Sequence, residues 1–311
     1  MKILVGTTSF GKYDPSVLAA LAQAGLDPIF NPEKRTLTTD ELARHAAGCP
    51  GIIAGLERYD REALSRLPDL QVISRCGAGL DGIDFEAAAE MGVIVESTPC
   101  APTEAVAELT VGFVLDLVRG IGRASAQMRR GVWRKEMGLL LRETTIGLIG
   151  LGRIGRRVVE LLAPFEARVI GYDPEPQPEW AAANPSVSVP LDRVLGESDV
   201  VSLHVPFTPE LRHLISRNAI EKMKQGACLI NASRGGLVDE SALHAALVAG
   251  RLGGAALDVY EREPYDGPLR GLENVVLTPH IGSWARAARI RMEREAAENL
   301  IAGLRRAGRL A

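Results

Sequence analysis

The chain has 311 residues, of which 46% are hydrophobic and 24% charged, and its formal net charge is -3. This length predicts two domains of about 150 residues each, and the composition is typical of a globular protein with a substantial core. The charge lacks the basic excess of a nucleic-acid-binding protein, and the apolar runs are shorter than the roughly 20 residues that cross a bilayer, so the sequence predicts neither nucleic acid nor a membrane as a partner.

The four cysteines show neither a CxxC spacing nor a nearby histidine at ligand spacing: they are Cys49, Cys76, Cys100 and Cys228. We therefore predict reduced thiols and no metal site, in a cytoplasmic protein. The first ten residues contain one lysine and an apolar run too short for a signal peptide. They are interpreted as the start of a first strand.

The first 99 residues alternate short apolar runs with amphipathic segments. The apolar runs predict five strands, at Ile3–Val5, Pro28–Phe30, Gly51–Ala54, Gln71–Ser74 and Val93–Val95. The segments between them predict helices at Pro15–Ala24, Thr39–Ala47 and Arg61–Leu67, the first with Asp14 as its N-cap. This alternation favours a parallel sheet with right-handed crossovers.

Apolar residues at helical spacing then predict one long helix from Thr103 to Arg130. Thr145 opens a second strand–helix series, whose dense apolar runs are typical of strands buried on both faces. Its predicted strands are Thr145–Gly150, Arg168–Tyr172, Val200–His204, Cys228–Asn231, Ala255–Leu257 and Val275–Leu277. The proline-rich segment Asp173–Pro178 is predicted to be a surface loop, and Trp284–Leu304 one long helix with alternating charges.

The second series begins with the spacing Gly150-x-Gly152-x-x-Gly155. A glycine-rich turn without a ligand has the same letters, but this one follows an apolar strand and opens a helical segment. Gly150 would permit the tight turn, Gly152 the approach of a pyrophosphate, and Gly155 the close packing of helix on strand. Asp173 ends the next strand, where a carboxylate accepts hydrogen bonds from the adenosine ribose and repels a 2′-phosphate. The predicted cofactor is therefore NAD.

Seven motifs then occur in a fixed order along nearly the whole chain. They are Arg75–Asp81 (RCGAGLD), Ala105–Thr110 (AVAELT), Gly150–Gly155 (GLGRIG), Leu203–Thr208 (LHVPFT), Asn231–Asp239 (NASRGGLVD), Ala256–Pro264 (ALDVYEREP) and Thr278–Gly282 (TPHIG). With them the chain resembles the D-isomer-specific 2-hydroxyacid dehydrogenases, and within that family the phosphoglycerate dehydrogenase group, in a short form without the regulatory domain.

The resemblance implies an α/β protein of two doubly wound parallel-sheet domains. Residues 1–99 and 285–311 would form a flavodoxin-like substrate domain, and residues 100–284 a Rossmann NAD-binding domain. Family members are usually homodimers joined through the NAD-binding domains, and the segment Ile121–Leu141 matches the arm that crosses that interface. Trp133 within this arm could equally be a core residue of one subunit.

Arg234, Glu263 and His280 follow the last three predicted strands, at the sheet edge where such folds bind ligands. The planar guanidinium of Arg234 suits a bidentate contact with a substrate carboxylate. The resemblance implies that Glu263 and His280 form a hydrogen-bonded pair, in which the carboxylate favours an imidazolium. His280 would then donate a proton to the carbonyl during reduction and remove one during oxidation. These three residues are the predicted catalytic set.

The resemblance also implies further contacts. The pyrophosphate would lie against Arg153 and Ile154, and the substrate carboxylate against the backbone N–H groups of Ala78 and Gly79. Ribose and nicotinamide would be lined by Val205, Ala232, Asp258 and Gly282. Asp258 could instead support Arg234 or cap a strand end or helix, and His204 is interpreted as a structural residue near the cofactor.

Arg75 matches a position at which phosphoglycerate dehydrogenases hold the substrate phosphate, so the sequence favours 3-phosphoglycerate. A surface ion pair with Asp81 or Asp84 would explain Arg75 equally well. The chain departs from those enzymes after the third strand, where a second arginine is common and this sequence reads Ala54-Gly55-Leu56-Glu57-Arg58. A glyoxylate, hydroxypyruvate or 2-keto acid reductase is the alternative enzyme, and a non-catalytic NAD(H)-sensing protein is the alternative class.

Overall fold

The computed structural model describes residues 1–184 and 187–310. It divides the chain into two compact units, Met1–Pro102 with Ser283–Ala311 and Thr103–Gly282, hereafter unit 1 and unit 2. The predicted divisions at residues 99 and 284 fall close to these bounds. In the described part of the chain, none of the helices has both the length and the apolar character needed to cross a bilayer.

Unit 1 is built on a five-stranded parallel sheet in the order β2-β1-β3-β4-β5. The strands are β1 (Lys2–Val5), β2 (Asp27–Phe30), β3 (Gly51–Ala54), β4 (Val72–Arg75) and β5 (Ile94–Ser97). The helices between them are α1 (Ser16–Gln23), α2 (Thr39–His45), α3 (Arg61–Ser65) and α4 (Phe85–Glu90). This order is that of the flavodoxin-like fold, which confirms the predicted architecture.

Local chemistry explains where these helices begin. Thr38 and Glu41 form a reciprocal capping box at the start of α2, and the carboxylates of Asp60 and Asp84 cap α3 and α4. The prediction for α1 was wrong at its start, because Pro15 occupies the N-cap and the Asp14 carboxylate accepts the Ser16 N–H instead.

Unit 2 contains a six-stranded parallel sheet in the order β11-β10-β9-β8-β6-β7. Its strands are β6 (Thr145–Ile149), β7 (Arg168–Tyr172), β8 (Val200–Leu203), β9 (Cys228–Asn231), β10 (Gly254–Leu257) and β11 (Val275–Leu277). Its helices are α5 (Thr103–Arg119), α6 (Ile121–Arg129), α7 (Arg153–Leu162), α8 (Pro178–Ala183), α9 (Leu191–Glu197), α10 (Arg217–Lys222) and α11 (Glu240–Val248). The strand order reverses at β6, which lies between β7 and β8, and such a switch point is where doubly wound sheets bind ligands.

Two predicted segments of unit 2 differ from the structure. The single helix predicted from Thr103 to Arg130 is two helices, because Gly120 between α5 and α6 has a φ of +61°, a left-handed conformation that interrupts an α-helix. The predicted loop at residues 173–178 ends in α8, whose first residue is Pro178, a favoured position for proline.

The chain returns to unit 1 in α12 (Arg286–Arg306), which packs against β3, β4 and β5. Its sequence is highly charged, yet Glu293 and Arg289 are buried within unit 1. The Glu293 carboxylate accepts hydrogen bonds from the Ser9 hydroxyl at 2.8 Å and the Gly11 N–H at 3.0 Å, and Arg289 lies 3.2 Å from it. These paired charges attach the C-terminal helix to the loop after β1.

Candidate active site

The glycine turn after β6 has the close contacts that its spacing predicts. Gly150 has a φ of +103°, and a Cβ there would lie 2.4 Å from the His204 carbonyl oxygen. A Cβ on Gly155 would lie 2.1 Å from the Gly150 carbonyl oxygen, so both positions require glycine. A Cβ on Gly152 would meet nothing within 4 Å, so the space above this residue is open.

The N-terminus of α7 opens onto this turn and suits a dinucleotide. Gly152 is the N-cap and supplies no capping side chain, and no acidic residue lies in the first turn. The first turn of α7 therefore offers backbone N–H groups to phosphate oxygens, and the helix dipole favours a negative charge there. Asp173, which follows β7, accepts the Leu151 N–H at 2.8 Å, so its carboxylate is fixed beside the turn. These residues fit NAD.

His204 directly follows β8, and its carbonyl oxygen lies against Gly150 of the glycine turn. Its Nε2 is 3.0 Å from the Ser202 hydroxyl oxygen, and burial lowers the pKa of its imidazole to about 4. The ring is therefore neutral near pH 7. This agrees with its interpretation as a structural residue.

His280 and Glu263 form the pair that the resemblance implies. Nδ1 of His280 lies 2.8 Å from Oε2 of Glu263, and about a third of each side chain is exposed, 30% and 31%. Oε1 of Glu263 accepts the Tyr260 N–H at 3.2 Å, which orients the carboxylate. Because Nδ1 faces Glu263, Nε2 is the ring nitrogen left to exchange a proton with a ligand.

Arg234 follows β9 on a loop that packs against the loop after β10. A Cβ on the next residue, Gly235, would lie 1.8 Å from the Tyr260 carbonyl carbon, so the two loops touch through a position that only glycine can occupy. Asn231 holds the Arg234 loop by donating its side-chain amide to the Arg234 carbonyl at 2.8 Å. The arginine is thereby brought to the same sheet edge as Glu263.

Asp258 holds the loop that contains His280 through hydrogen bonds. Its buried carboxylate accepts hydrogen bonds from the Thr278 hydroxyl at 2.6 Å and from the N–H groups of Ile281 and Gly282, each at 2.7 Å. His280 has a φ of +54°, a left-handed conformation that costs a non-glycine residue about 1–3 kcal/mol and persists only where neighbours hold it. The structure thus gives Asp258 a role that was not predicted from the sequence, support of the His280 loop.

The predicted substrate-binding residues of unit 1 lie at the end of β4 and just after it. Arg75 is half-buried and Nη1 of its guanidinium donates to the Cys76 carbonyl. Ala78 is exposed and Gly79 half-buried. The segment therefore has accessible backbone beside a cation within unit 1.

The remaining predicted cofactor contacts all follow strands or open α7 in unit 2. Arg153 is exposed and Gly282 is buried, whereas the following residues are half-buried: Ile154, Val205 and Ala232. Among residues 1–184 and 187–310, no three His, Cys, Asp or Glu side chains are grouped as they would be around a metal ion.

Comparisons with known proteins agree with this geometry. Residues 111–282 match the family model described as D-isomer specific 2-hydroxyacid dehydrogenase, NAD binding domain. The chain belongs to this family. The matched segment contains the glycine turn, Asp173, Arg234, Glu263 and His280.

Relatives of the chain fall into more than one activity within the family. A D-3-phosphoglycerate dehydrogenase of Methanocaldococcus jannaschii is 43% identical over 73% of this chain and 44% of its own length. A glyoxylate reductase of Thermofilum pendens is 42% identical over 86% of this chain and 81% of its own length. The solved structure of the TT0316 protein from Thermus thermophilus superimposes with a TM-score of 0.86, at 40% identity, over 98% of this chain and 97% of that one. The chain thus spans less than half the length of the archaeal phosphoglycerate dehydrogenase.

Two supporting residues of the site were not singled out from the sequence. The Tyr260 hydroxyl donates to the Leu257 carbonyl at 3.0 Å and lies 2.9 Å from the Thr278 carbonyl, and so joins the loops after β10 and β11. Thr278 donates to Asp258. Both residues lie within the motifs quoted above, which is the signal that could have identified them.

Proposed function

We propose that the chain is an NAD-dependent D-2-hydroxyacid dehydrogenase in which Arg234, Glu263 and His280 act at the reacting carbon. The observation that carries this proposal is the 2.8 Å contact between His280 and Glu263 on neighbouring loops at the ligand-binding edge of a doubly wound sheet. The relatives named as phosphoglycerate dehydrogenase and glyoxylate reductase support the same class of reaction.

The roles of the three side chains follow from their chemistry. Arg234 forms paired hydrogen bonds with the substrate carboxylate and polarises the C2 oxygen. His280 transfers a proton from Nε2 to that oxygen during reduction and takes it back during oxidation. Glu263 holds the ring through Nδ1 and stabilises the imidazolium form. NAD, when bound, supplies or accepts the hydride at C2.

The cofactor is proposed to bind at the carboxyl ends of the strands of unit 2, beside the N-terminus of α7. The backbone N–H groups around Gly152 contact the pyrophosphate, and the Asp173 carboxylate accepts hydrogen bonds from the adenosine ribose. The other proposed contacts are Gly150, Arg153, Ile154, Gly155, Val205, Ala232, Asp258 and Gly282. Asp258 acts in this set through the loop that it holds.

The proposed substrate is a small acid with a carboxylate next to a C2 hydroxyl or carbonyl group. In unit 1, Ala78 and Gly79 are proposed to bind it through the backbone. The substrates named from the sequence share this part and differ beyond C2: C3 bears a phosphate in 3-phosphoglycerate and a hydroxyl in hydroxypyruvate, and glyoxylate has no C3. Arg75 is the residue on which the phosphorylated alternative depends.

A homodimer joined through unit 2 is proposed from the segment 121–141. Its large apolar side chains are unusually exposed in one chain, with Trp133 at 78% and Met137 at 99%. Contiguous exposed apolar surface of this kind is typical of an interface between subunits. Trp133 is therefore assigned to the interface and not to the core.

The cytoplasm is the proposed compartment, since the four cysteines are free thiols.

The proposal is tested by NADH oxidation with purified protein and four acids: phosphohydroxypyruvate, hydroxypyruvate, glyoxylate and a branched 2-keto acid. Turnover of at least one acid, lost in His280→Ala, is the expected result. Tight NADH binding without turnover of any acid would contradict the enzyme proposal and favour a sensor.

A further inference from the structure

The loop after β3 buries a carboxylate that no part of the proposed reaction uses. Glu57 is 4% exposed, although a charged side chain in a loop is ordinarily solvated. Its Oε2 accepts the Gly55 N–H at 2.7 Å. A Cβ on Gly6, just after β1, would lie 2.8 Å and 2.9 Å from the two carboxylate oxygens, and a Cβ on Gly55 would lie 3.1 Å from both. Two glycines thus make the space that this side chain fills.

The same loop is fastened to the segment that begins with Arg75. Ala54 at the end of β3 is paired in register with Arg75 at the end of β4. Further along, the Tyr59 N–H donates to the Gly82 carbonyl at 2.8 Å, and the Asp84 N–H donates to the Tyr59 carbonyl at 2.9 Å. The position of Glu57 relative to Arg75 is therefore determined by the backbone of unit 1.

Glu57 follows β3 and Arg75 ends the neighbouring strand β4, so the two charges lie in the same part of unit 1. Burial raises the pKa of the Glu57 carboxyl, and the positive charge of Arg75 lowers it by a smaller amount. The Tyr59 ring is buried beside them, and among the described residues its hydroxyl finds no hydrogen-bond partner. The half-buried guanidinium that would bind a substrate phosphate thus lies in the same part of unit 1 as a buried acid.

This neighbourhood is poorly suited to a phosphate. A dianion bound at Arg75 would meet the Glu57 carboxylate, and repulsion between like charges is strong where water is excluded. Binding of a phosphate would require a net positive site, whereas Glu57 offsets the charge of Arg75. An uncharged C3 substituent meets no such repulsion, and a hydroxyl can accept a hydrogen bond from the guanidinium.

We propose that Glu57 is a specificity-determining residue, which acts by offsetting the charge of Arg75, and that the enzyme prefers acids whose C3 substituent is uncharged. Hydroxypyruvate belongs to this class and phosphohydroxypyruvate does not. Glyoxylate has no C3 and therefore also places no charge beside Arg75. The inference rests on the proposed function, because Arg75 is a substrate-binding residue only within it.

The test compares kcat/KM for hydroxypyruvate and phosphohydroxypyruvate, with NADH, in the wild-type protein and in Glu57→Gln. The wild type is expected to favour hydroxypyruvate at least tenfold. Glu57→Gln keeps the shape of the side chain and an oxygen for the Gly55 N–H but removes the charge. It is expected to raise kcat/KM for the phosphorylated acid at least tenfold, through KM, and to change that for hydroxypyruvate less than threefold.

Inorganic phosphate provides a second readout that does not depend on turnover of the phosphorylated acid. Its inhibition constant against hydroxypyruvate is expected to fall about tenfold in Glu57→Gln. Glu57→Asp, which keeps the charge, should retain the wild-type preference. The matched control is Glu62→Gln, which removes an exposed carboxylate from α3 in the same unit and should leave both acids unchanged.

Each other outcome overturns a defined part of the inference. A wild-type preference for phosphohydroxypyruvate refutes the inference. This measurement needs no variant, so the inference remains testable even if Glu57→Gln does not fold. An equal change for both acids in Glu57→Gln would show a structural role only. Absence of turnover with every acid, together with NADH binding, refutes the proposed function itself.

Discussion

Nδ1 of His280 lies 2.8 Å from Oε2 of Glu263, and a second such pair occurs in unit 2, where Nε2 of His213 lies 2.7 Å from Oε1 of Glu261. Both histidines have a φ of +54°. The two pairs differ in place: only His280 follows a strand in a motif of the family at the ligand-binding edge. Proximity of a histidine and a glutamate therefore does not by itself predict a catalytic pair, and the second pair can serve as a control for the first.

His280→Ala is expected to lower kcat by about 10² to 10⁴, because proton transfer to the C2 oxygen is lost. Glu263→Gln should cause a smaller loss, of about tenfold or more, because an amide can orient the ring but does not stabilise the imidazolium. Steady-state NADH oxidation measures the loss, and NADH fluorescence checks that cofactor binding persists. His213→Ala should stay within about twofold of the wild type, and an equal loss there would contradict the assignment.

Asp258→Asn is expected to lower both stability and kcat. The amide presents a donor where the carboxylate accepts from Thr278, Ile281 and Gly282, and leaving a buried donor unpaired costs about 1–3 kcal/mol. The melting temperature should fall by about 3 °C or more. Asp192→Asn is the control, since its side chain is 75% exposed and such changes stay within about 0.5 kcal/mol. Equal melting temperatures for the two variants would show that Asp258 does not hold the loop.

Asp173→Asn is expected to reduce the preference for NADH over NADPH by about tenfold or more, equivalent to about 1.4 kcal/mol. The amide oxygen can still accept the Leu151 N–H, but the charge that repels a 2′-phosphate is gone. The ratio of kcat/KM for the two cofactors measures the change. Glu175→Gln, two residues away on the exposed loop, should leave the ratio unaltered. An unaltered ratio in Asp173→Asn would mean that other residues select the cofactor.

The buried His204 makes the stability of the protein depend on pH. Its pKa is lowered from 6.5 to about 4, so the unfolded chain binds a proton more readily than the native one between these values. The stabilisation is complete above pH 6.5 and is lost as pH falls toward 4, by at most about 3 kcal/mol, since His204 keeps some exposed surface. Unfolding in denaturant at pH 4.5 and pH 7.5 should show a smaller difference for His204→Asn than for the wild type. Equal differences would show that His204 does not titrate in this way.

Replacing both Trp133 and Met137 with serine is expected to convert the proposed dimer into monomers at micromolar concentration. These two residues are 78% and 99% exposed in the single chain, and their burial would stabilise the dimer by roughly 1.5–3 kcal/mol for each large apolar side chain. Sedimentation equilibrium measures the change. Val248→Ser removes another exposed apolar side chain, 64% exposed on α11, and should leave the dimer intact. A monomeric wild type, or a dimeric double variant, would refute the interface.

Sequence periodicity was sufficient to locate both sheets and the residues that follow their strands. Strands such as Gly51–Ala54 and Cys228–Asn231 have the predicted bounds, because a strand buried on both faces is a continuous apolar run that needs no distant information. The glycine turn was readable for a similar reason, since Gly150 and Gly155 meet backbone that is near in the same βαβ unit or follows the adjacent strand. The pairing of His280 with Glu263 came from resemblance, and its 2.8 Å geometry from the structure.

The local sequence was a poor guide to buried charge. Glu293 lies in a run of alternating charges, yet it is buried, because its partner Ser9 comes from the other end of the chain. Glu57 stands in a polar loop, and its burial depends on Gly6, some fifty positions earlier. The free energy of burying a carboxylate depends on the groups that surround it in three dimensions. The sequence by itself therefore determined the two sheets and the residues proposed for catalysis, and only the tertiary structure decided which acids are enclosed and which groups surround them.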